Sequence, residues 1–293
     1  MLEFDNWQPH VATDEVVIAR TPVMALQSIF DDAMPELQWG DELPPLWHWV
    51  ALPRWAPSHV LASDGHPMKG SFLPPVELPR RMFAGGTVSF HAPLFIGPEA
   101  IKREQEVTNV VEKNGSSGRL IIVDVTTRLF DAAGQLAVEE VQNLIYREAA
   151  VVSTGSTTGD GSITLDADVP AAYVPTNTPL VRSGEWQWDF TTDPTLLMRF
   201  SAATANAHRI HYDWPYATRV EGYPGLVVHG PLMTLTLAEV VRLEGVTGVT
   251  RIQHRNLAPL FCAQPAQVRA KEAGAVELVS GDTARTALSY WTA

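Results

Sequence analysis

A single cysteine, Cys262, stands in 293 residues. No disulfide can form within the chain, and a reducing, cytoplasmic setting is the expectation. Positive charge is also scarce. Against 33 Asp and Glu there are 21 Lys and Arg, leaving a net charge of −12, which removes any general attraction to nucleic acid or anionic lipid. An anionic ligand must then be met by a local basic patch. No apolar run is long enough to span a bilayer. The first residues, Met1-Leu-Glu-Phe-Asp-Asn-Trp7, lack the basic-then-apolar order of a secretory signal. Neither nucleic acid nor membrane is expected as a partner. What is present, 45% hydrophobic residues with 22 prolines and 9 tryptophans, is a globular composition sufficient for one large domain or two ordinary ones.

Along the chain, Arg20 to Asp32 reads as a helix. Thr21 can cap it, Pro22 suits its first turn, and Val23, Met24, Leu26, Ile29 and Phe30 recur at helical spacing. A short buried segment, Leu43-Pro-Pro-Leu-Trp-His-Trp-Val-Ala-Leu-Pro53, is fenced by prolines, and His48 inside it reads as a satisfied core residue. From Asp64 to Gly86 proline is too frequent for regular structure, so an ordered loop ending near Arg80 and Arg81 is expected. Strands are expected over Thr87 to Phe95, Ala100 to Glu112 and Arg119 to Phe130, and in a third meander strand ending near Tyr146. The turns fall at Asn114-Gly115 and Asp131-Ala-Ala-Gly134.

Residues 150–179 are small, polar and punctuated by proline, the composition of a linker. Beyond them the grammar of the first half recurs: a helix over Pro231 to Leu243, then strands near Ala258-Pro-Leu-Phe261, Gln267 to Lys271, Val276 to Val279 and Ala284 to Trp291. The tetrapeptide Ala-Pro-Leu-Phe occurs at Ala92 and again at Ala258, each time entering a run of strands, as in a duplicated α+β unit. The Pro231 helix is apolar nearly all round, so it is buried on most faces. A sheet bent around one such helix is a hot-dog fold. The expectation is two in tandem, antiparallel sheets each wrapped around a central helix: residues 1–149, non-catalytic and roofing a pocket between the units, a linker over 150–179, and residues 180–293 carrying the chemistry.

That chemistry is concentrated in one stretch. Asn206, His208, Arg209 and His211 lie within six residues, and His229-Gly230-Pro231 then opens the apolar helix. Imidazole titrates near neutrality, which makes it the usual proton carrier. A helix N-terminus offers backbone donors to developing negative charge.

At Asn206-Ala-His-Arg-Ile-His211-Tyr the sequence resembles the MaoC-like, hydratase-2 family of enoyl-thioester hydratases and dehydratases. It is most similar to the tandem hot-dog branch of 3-methylfumaryl-CoA (mesaconyl-C4-CoA) hydratases and 3-hydroxyacyl-thioester dehydratases. Gly222-Tyr-Pro-Gly-Leu-Val-Val-His-Gly-Pro-Leu232, Leu43 to Trp49 and Leu78 to Gly86 carry the same resemblance in order and spacing. Where the broader family has an acidic residue, this chain has Asn206, which cannot ionise. Asp213, two residues past His211, offers a carboxylate nearby in sequence.

The resemblance implies reversible hydration of an α,β-unsaturated acyl-CoA, with a small branched dicarboxylic acyl group ahead of a longer 3-hydroxyacyl chain. It makes His211 the base and acid, Asn206 the water holder, and Gly230 and Leu232 the backbone donors on either side of a proline that has no N–H. His208 and His229 become orienting or lining residues. Arg80, Arg81 and Arg209 become contacts for a distal carboxylate or for the phosphates of coenzyme A. On the residues alone, His211 can equally be structural and the arginines surface ion pairs. The spacing of His208, His211 and His229 fits no metal motif, so no metal or redox cofactor is expected, and coenzyme A arrives with the substrate. A homodimer is compatible with hot-dog pairing. The rival activities are thioester hydrolysis and non-catalytic acyl-CoA binding.

Overall fold

In the computed structural model, residues 4–32, 34–115, 118–148 and 178–293 are described, and eleven strands among them form one antiparallel sheet. The first half supplies β1 (Ala12–Val17), β2 (Arg80–Phe90), β3 (Ala100–Gly115), β4 (Gly118–Phe130) and β5 (Leu136–Arg147). The second supplies β6 (Leu180–Gly184), β7 (Gln187–Phe190), β8 (Val249–Asn256), β9 (Ala266–Glu272), β10 (Ala275–Ser280) and β11 (Thr283–Thr292). Across the sheet the order is β1-β3-β4-β5-β2-β8-β11-β10-β9-β7-β6. Outward from the β2–β8 seam, β2-β5-β4-β3-β1 mirrors β8-β11-β10-β9-β7. The seam pairs Gly85 with Arg255 through to Ser89 with Arg251. Gly85 is required there, because a Cβ would come within 2.4 Å of the His254 carbonyl oxygen.

Among the described residues four α-helices accompany the sheet: α1 (Arg20–Phe30), α2 (His48–Ala51), α3 (Pro194–Ala203) and α4 (Gly230–Leu243). In α4 every residue from Leu232 to Val241 is buried, and the helix packs against β2, β8, β10 and β11. This is the wrapped helix that its all-round apolarity requires. At roughly 2 kcal/mol for each fully buried Leu or Val, Leu232, Leu235, Leu237 and Val240 fix where its N-terminus stands. α3 starts at a proline, and the Asp193 carboxylate accepts a bond from Leu196 N at 2.9 Å.

The duplication extends to individual hydrogen bonds. Leu43 N donates to Leu94 O at 2.7 Å, and Val228 N to Leu260 O at 2.8 Å. Ile96 N reaches Asp41 O at 3.0 Å, and Cys262 N reaches Leu226 O at 2.8 Å. Isolated bridges join Phe95 to Glu42 and Phe261 to Val227. The two Ala-Pro-Leu-Phe copies therefore sit in equivalent bends. They lie beyond β2 and β8 rather than inside strands as expected, since proline cannot donate to a ladder.

The halves differ in the helix. Where α4 stands in the second half, the first has only the four residues of α2, because Pro53 disfavours helical backbone at Leu52 and removes the next donor. Thr21 lies inside α1, whose N-cap is Ala19 with no side-chain bond. Asn114 and Gly115 are the last paired residues of β3, opposite Arg119 and Gly118, and the turn they announce lies outside the described residues. The expected linker lies almost wholly outside them too.

Candidate active site

The chain leaves α3 through Ala205, held at φ 52°, and Asn206 N donates to Ser201 O at 2.9 Å. The Asn206 side chain closes a turn on its own backbone, with Oδ1 accepting from His208 N at 3.0 Å. Its Nδ2 is left to donate elsewhere. A single helical turn, Arg209–His211, follows. It brings the buried His211 ring within 2.7 Å of Val227 O through Nδ1. A carbonyl only accepts, so Nδ1 carries the proton and Nε2 keeps its lone pair. One ring face stacks on His229, centroid to centroid 3.6 Å at 16°. His229 is fully buried and bonded through Nε2 to Ser201 Oγ at 2.8 Å. It is the residue immediately before α4, so His211 stands beside that helix N-terminus.

A cavity of about 320 Å³ opens between the halves, within the range of small-ligand sites. Asn206, Phe200 and Pro231 form one wall, and His48, Trp49, Phe83, Glu140 and Gln142 from the first half face them. The side chains that line it do not include His211, which is buried against His229. The Glu140 carboxylate is fully engaged: His48 Nε2 lies at 2.9 Å, Trp49 Nε1 donates at 2.8 Å and Gln142 Nε2 at 2.7 Å. His48 is thus the satisfied buried residue its surroundings suggested. The lining also includes Arg54, Arg103, Gln105 and Thr127.

The remaining candidates separate by contact. Arg80 pairs with Glu221 at 3.3 Å and lies over the Tyr223 ring. Arg209 is clamped to Asp213 at 2.7 Å and donates to Ser63 O at 3.0 Å. Asp213, held by Arg209 and accepting from Tyr216 N at 3.1 Å, has no free role beside His211. Arg81 pairs with no carboxylate among the described residues, and its charge acts on His66 and His208. Leu232 is 0% exposed, so only its backbone can serve a ligand. Gly230 and Leu232 begin α4, whose first N–H groups have no intrahelical acceptor.

Sequence reasoning missed Asp64 and His66. The Asp64-Gly65-His66 turn docks directly on the 206–211 segment: Arg209 N donates to Asp64 O at 2.9 Å, and a Cβ on Gly65 would meet Ala207 O at 1.8 Å. The His66 ring lies 4.0 Å from that of His208, which stands edge-on to His211 at 5.6 Å. The one available signal was Asp-Gly-His in a proline-rich segment, a tight turn carrying an imidazole. Among the described residues, Asp64, His66 and His208 bring ligand atoms within 4.8 Å of one another and could hold a metal ion. For His211 and His229, one ring nitrogen each is already engaged by Val227 O and Ser201 Oγ.

Burial governs the titration of these rings. It pulls His211 and His254 down to about 4, pulls His208 to about 2, and holds His229 well below the ordinary value. All four are neutral bases at pH 7. Unfolded, each binds a proton near pH 6.5, so the stability they contribute is complete above that value and lost as pH falls toward 4. Glu239, pushed up to about 8 by burial, acts with the opposite sign but is a single group. The midpoint of urea unfolding is therefore expected to fall steadily between pH 6.5 and 4.5. A flat midpoint over that window would contradict neutral burial of the imidazoles.

Comparison with known proteins places this geometry in a family. The model of the type 2 hydroxyacyl-thioester dehydratases, Htd2, matches residues 46–262. Mesaconyl-C(4)-CoA hydratase of Chloroflexus aurantiacus is 42% identical over 250 residues, 84% of this chain and 82% of that protein. The mitochondrial hydroxyacyl-thioester dehydratase type 2 of Schizosaccharomyces pombe is 28% identical over 257 residues, 79% of each. The crystal structure of HtdX from Mycobacterium tuberculosis superposes with a TM-score of 0.62 at 15% identity, covering 97% of this chain and 99% of that one. No helix among the described residues is long and apolar enough to cross a membrane. The tandem hot-dog architecture, the wrapped α4 and the match across both halves lead to one conclusion: the chain belongs to the type 2 hydroxyacyl-thioester dehydratase family.

Proposed function

We propose that the protein is a hydro-lyase that reversibly hydrates an α,β-unsaturated acyl-CoA, with a small branched dicarboxylic acyl group of the mesaconyl-C4 type. The observation that carries the reading is the shared wall of Asn206 and the α4 start on a cavity closed by the other half. Asn206 Nδ2 donates to the attacking water, and Nε2 of His211 takes its proton and returns a proton to the α carbon. The thioester oxygen, negative in the enolate, accepts from Gly230 N and Leu232 N. No metal or redox group is needed, and coenzyme A comes with the substrate.

A dicarboxylic acyl group is supported by the 42% identity to a mesaconyl-C(4)-CoA hydratase and by a polar lining at Arg54, Arg103, Gln105 and Gln142, in which Asp14 already pairs with both arginines at 3.1 and 2.6 Å. Arg81, a cation near the site that pairs with no carboxylate among the described residues, is assigned to the substrate's anionic groups. His208 and His229 orient His211, while Arg80 and Arg209 brace the loops around it. The reading keeps units at residues 1–149 and 180–293 joined by a linker, and a cytoplasmic, homodimeric protein, the last tested by size-exclusion mass measurement.

The test is a panel of enoyl-CoAs followed by loss of the conjugated thioester absorbance. Mesaconyl-C4-CoA is expected to exceed a medium-chain enoyl-CoA by about 10²-fold or more in kcat/KM, because an alkyl tail leaves the polar wall unmatched. A medium-chain optimum would shift the reading to a longer-chain 3-hydroxyacyl dehydratase. Release of free thiol would make the protein a thioesterase instead.

A further inference from the structure

We propose that Asp64 and His66 are positioning residues of the hydration reaction: the Asp64 carboxylate, acting through His66 and His208, orients His211 and supports the positive charge it acquires with the water's proton. This rests on His211 being the base. The 206–211 segment lacks an ionisable carboxylate, and Asp213 is taken by Arg209. Asp64 comes from a loop about 140 residues earlier in the chain, yet it is fixed to this segment by Arg209 N, by Arg209 Nη1 on Ser63 O, and by a contact at Ala207 that only glycine allows. Both carboxylate oxygens are engaged by the same residue. Oδ1 accepts from His66 N and Oδ2 from His66 Nδ1, each at 2.9 Å.

A carboxylate that accepts from Nδ1 leaves Nε2 of His66 as a lone pair and holds the ring at a set angle. That ring lies on His208, and His208 lies edge-on to His211. The result is a file of three imidazoles ending at an anion. Burial acts to raise the Asp64 carboxyl, but its contacts with His66 outweigh burial and keep it ionised. The other charges facing the file are Arg81 from β2 and Lys69 from the loop. His229 faces His211 from the start of α4.

The experiment compares Asp64→Asn, His66→Gln and His211→Ala in the full chain, with kcat, KM and their pH dependence measured on the best enoyl-CoA. Asp64→Asn is expected to lower kcat about 10²-fold with KM within about twofold. Its acid limb should move to lower pH, because the lost anion favoured protonated imidazole in the file, where it acts against burial on His208. His66→Gln should share the loss in kcat. An unchanged pH profile, or a loss that only follows lowered thermal stability, would reduce the pair to a loop anchor and overturn the proposal. If His211→Ala is inactive while Asp64→Asn is not impaired, this inference fails alone. An active His211→Ala variant means that the reading of the site itself fails.

Two measurements on the wild type need no variant to fold. Nitrogen-15 NMR of the imidazoles should show His66 protonated at Nδ1 at pH 7, and an Nε2–H tautomer would overturn the proposal. Dialysis against a chelator should leave activity intact. Loss reversed by added zinc would make Asp64, His66 and His208 metal ligands, and that outcome too would overturn it.

Discussion

Replacing His211 by alanine is expected to lower kcat for enoyl-thioester hydration by about 10³-fold, within the range for removal of a general base, while KM changes by no more than a few-fold. The split follows from the geometry. The ring does not line the cavity, so it contributes little to holding the ground-state substrate, and a group engaged only as the proton moves appears in kcat. Its rotamer leaves one chemical option: Nδ1 is tied to Val227 O at 2.7 Å and one face is covered by His229, so proton transfer must use Nε2. The loss should exceed that from Asn206→Ala, since an amide orients water without taking its proton. Thermal unfolding of the variant checks that the packed ring has not simply been traded for a loosened site. Retention of more than a tenth of wild-type kcat by a folded His211→Ala chain would remove His211 from the chemistry.

The parts of this site that the sequence announces are those carried by local pattern. Asn206 to His211 is a dense run of polar groups, and α4 betrays its burial by being apolar on every side. Both are readable because each depends on neighbours a few residues away. The Asp64–His66 pair is not local. It joins the site by docking one loop on another, and its enabling residue, Gly65 at φ +91° against Ala207 O, looks in sequence like any turn glycine. The far wall of the cavity is hidden for the same reason, since His48 and Glu140 meet across 92 positions.

The arginines show a subtler limit. Taken as the end of a loop, Arg80 and Arg81 are interchangeable. Placed at the start of β2 they alternate across the strand, so Arg80 meets Tyr223 and Glu221 while Arg81 acts on His66 and His208. Starting the strand at Thr87, with a loop up to Gly86, conceals which guanidinium can reach a ligand, because β2 already begins at Arg80. The first half's missing helix was legible in hindsight from Pro53. Repeated grammar nevertheless suggested a central helix in each unit, and only tertiary pairing shows that the first half keeps just the four residues of α2 at that position.

The second large effect is expected at Gly230. Changing it to alanine should lower kcat about 10²- to 10³-fold, the usual consequence of displacing one preorganised backbone donor, and should also lower the melting temperature. A Cβ at this position would fall 2.5 Å from Asn256 Nδ2 and 3.1 Å from Phe83 Cδ1. Neither neighbour can yield without consequence. Asn256 Nδ2 donates to Phe83 O at 3.0 Å, and its Oδ1 accepts from Thr286 Oγ1 at 2.6 Å, so a swing of that amide opens the seam between β2 and β8. The alternative is for α4 to back away from the sheet, which moves the N–H groups off the thioester oxygen.

A double-variant cycle separates the two routes. If the amide is the obstacle, Asn256→Ala relieves the clash, and the Gly230→Ala/Asn256→Ala chain should resemble Asn256→Ala alone rather than the sum of both losses. Additive losses would mean that the methyl group acts on the ligand side, by filling the space the thioester needs. Wild-type kcat in a Gly230→Ala chain would show that the start of α4 takes no part in holding the enolate oxygen.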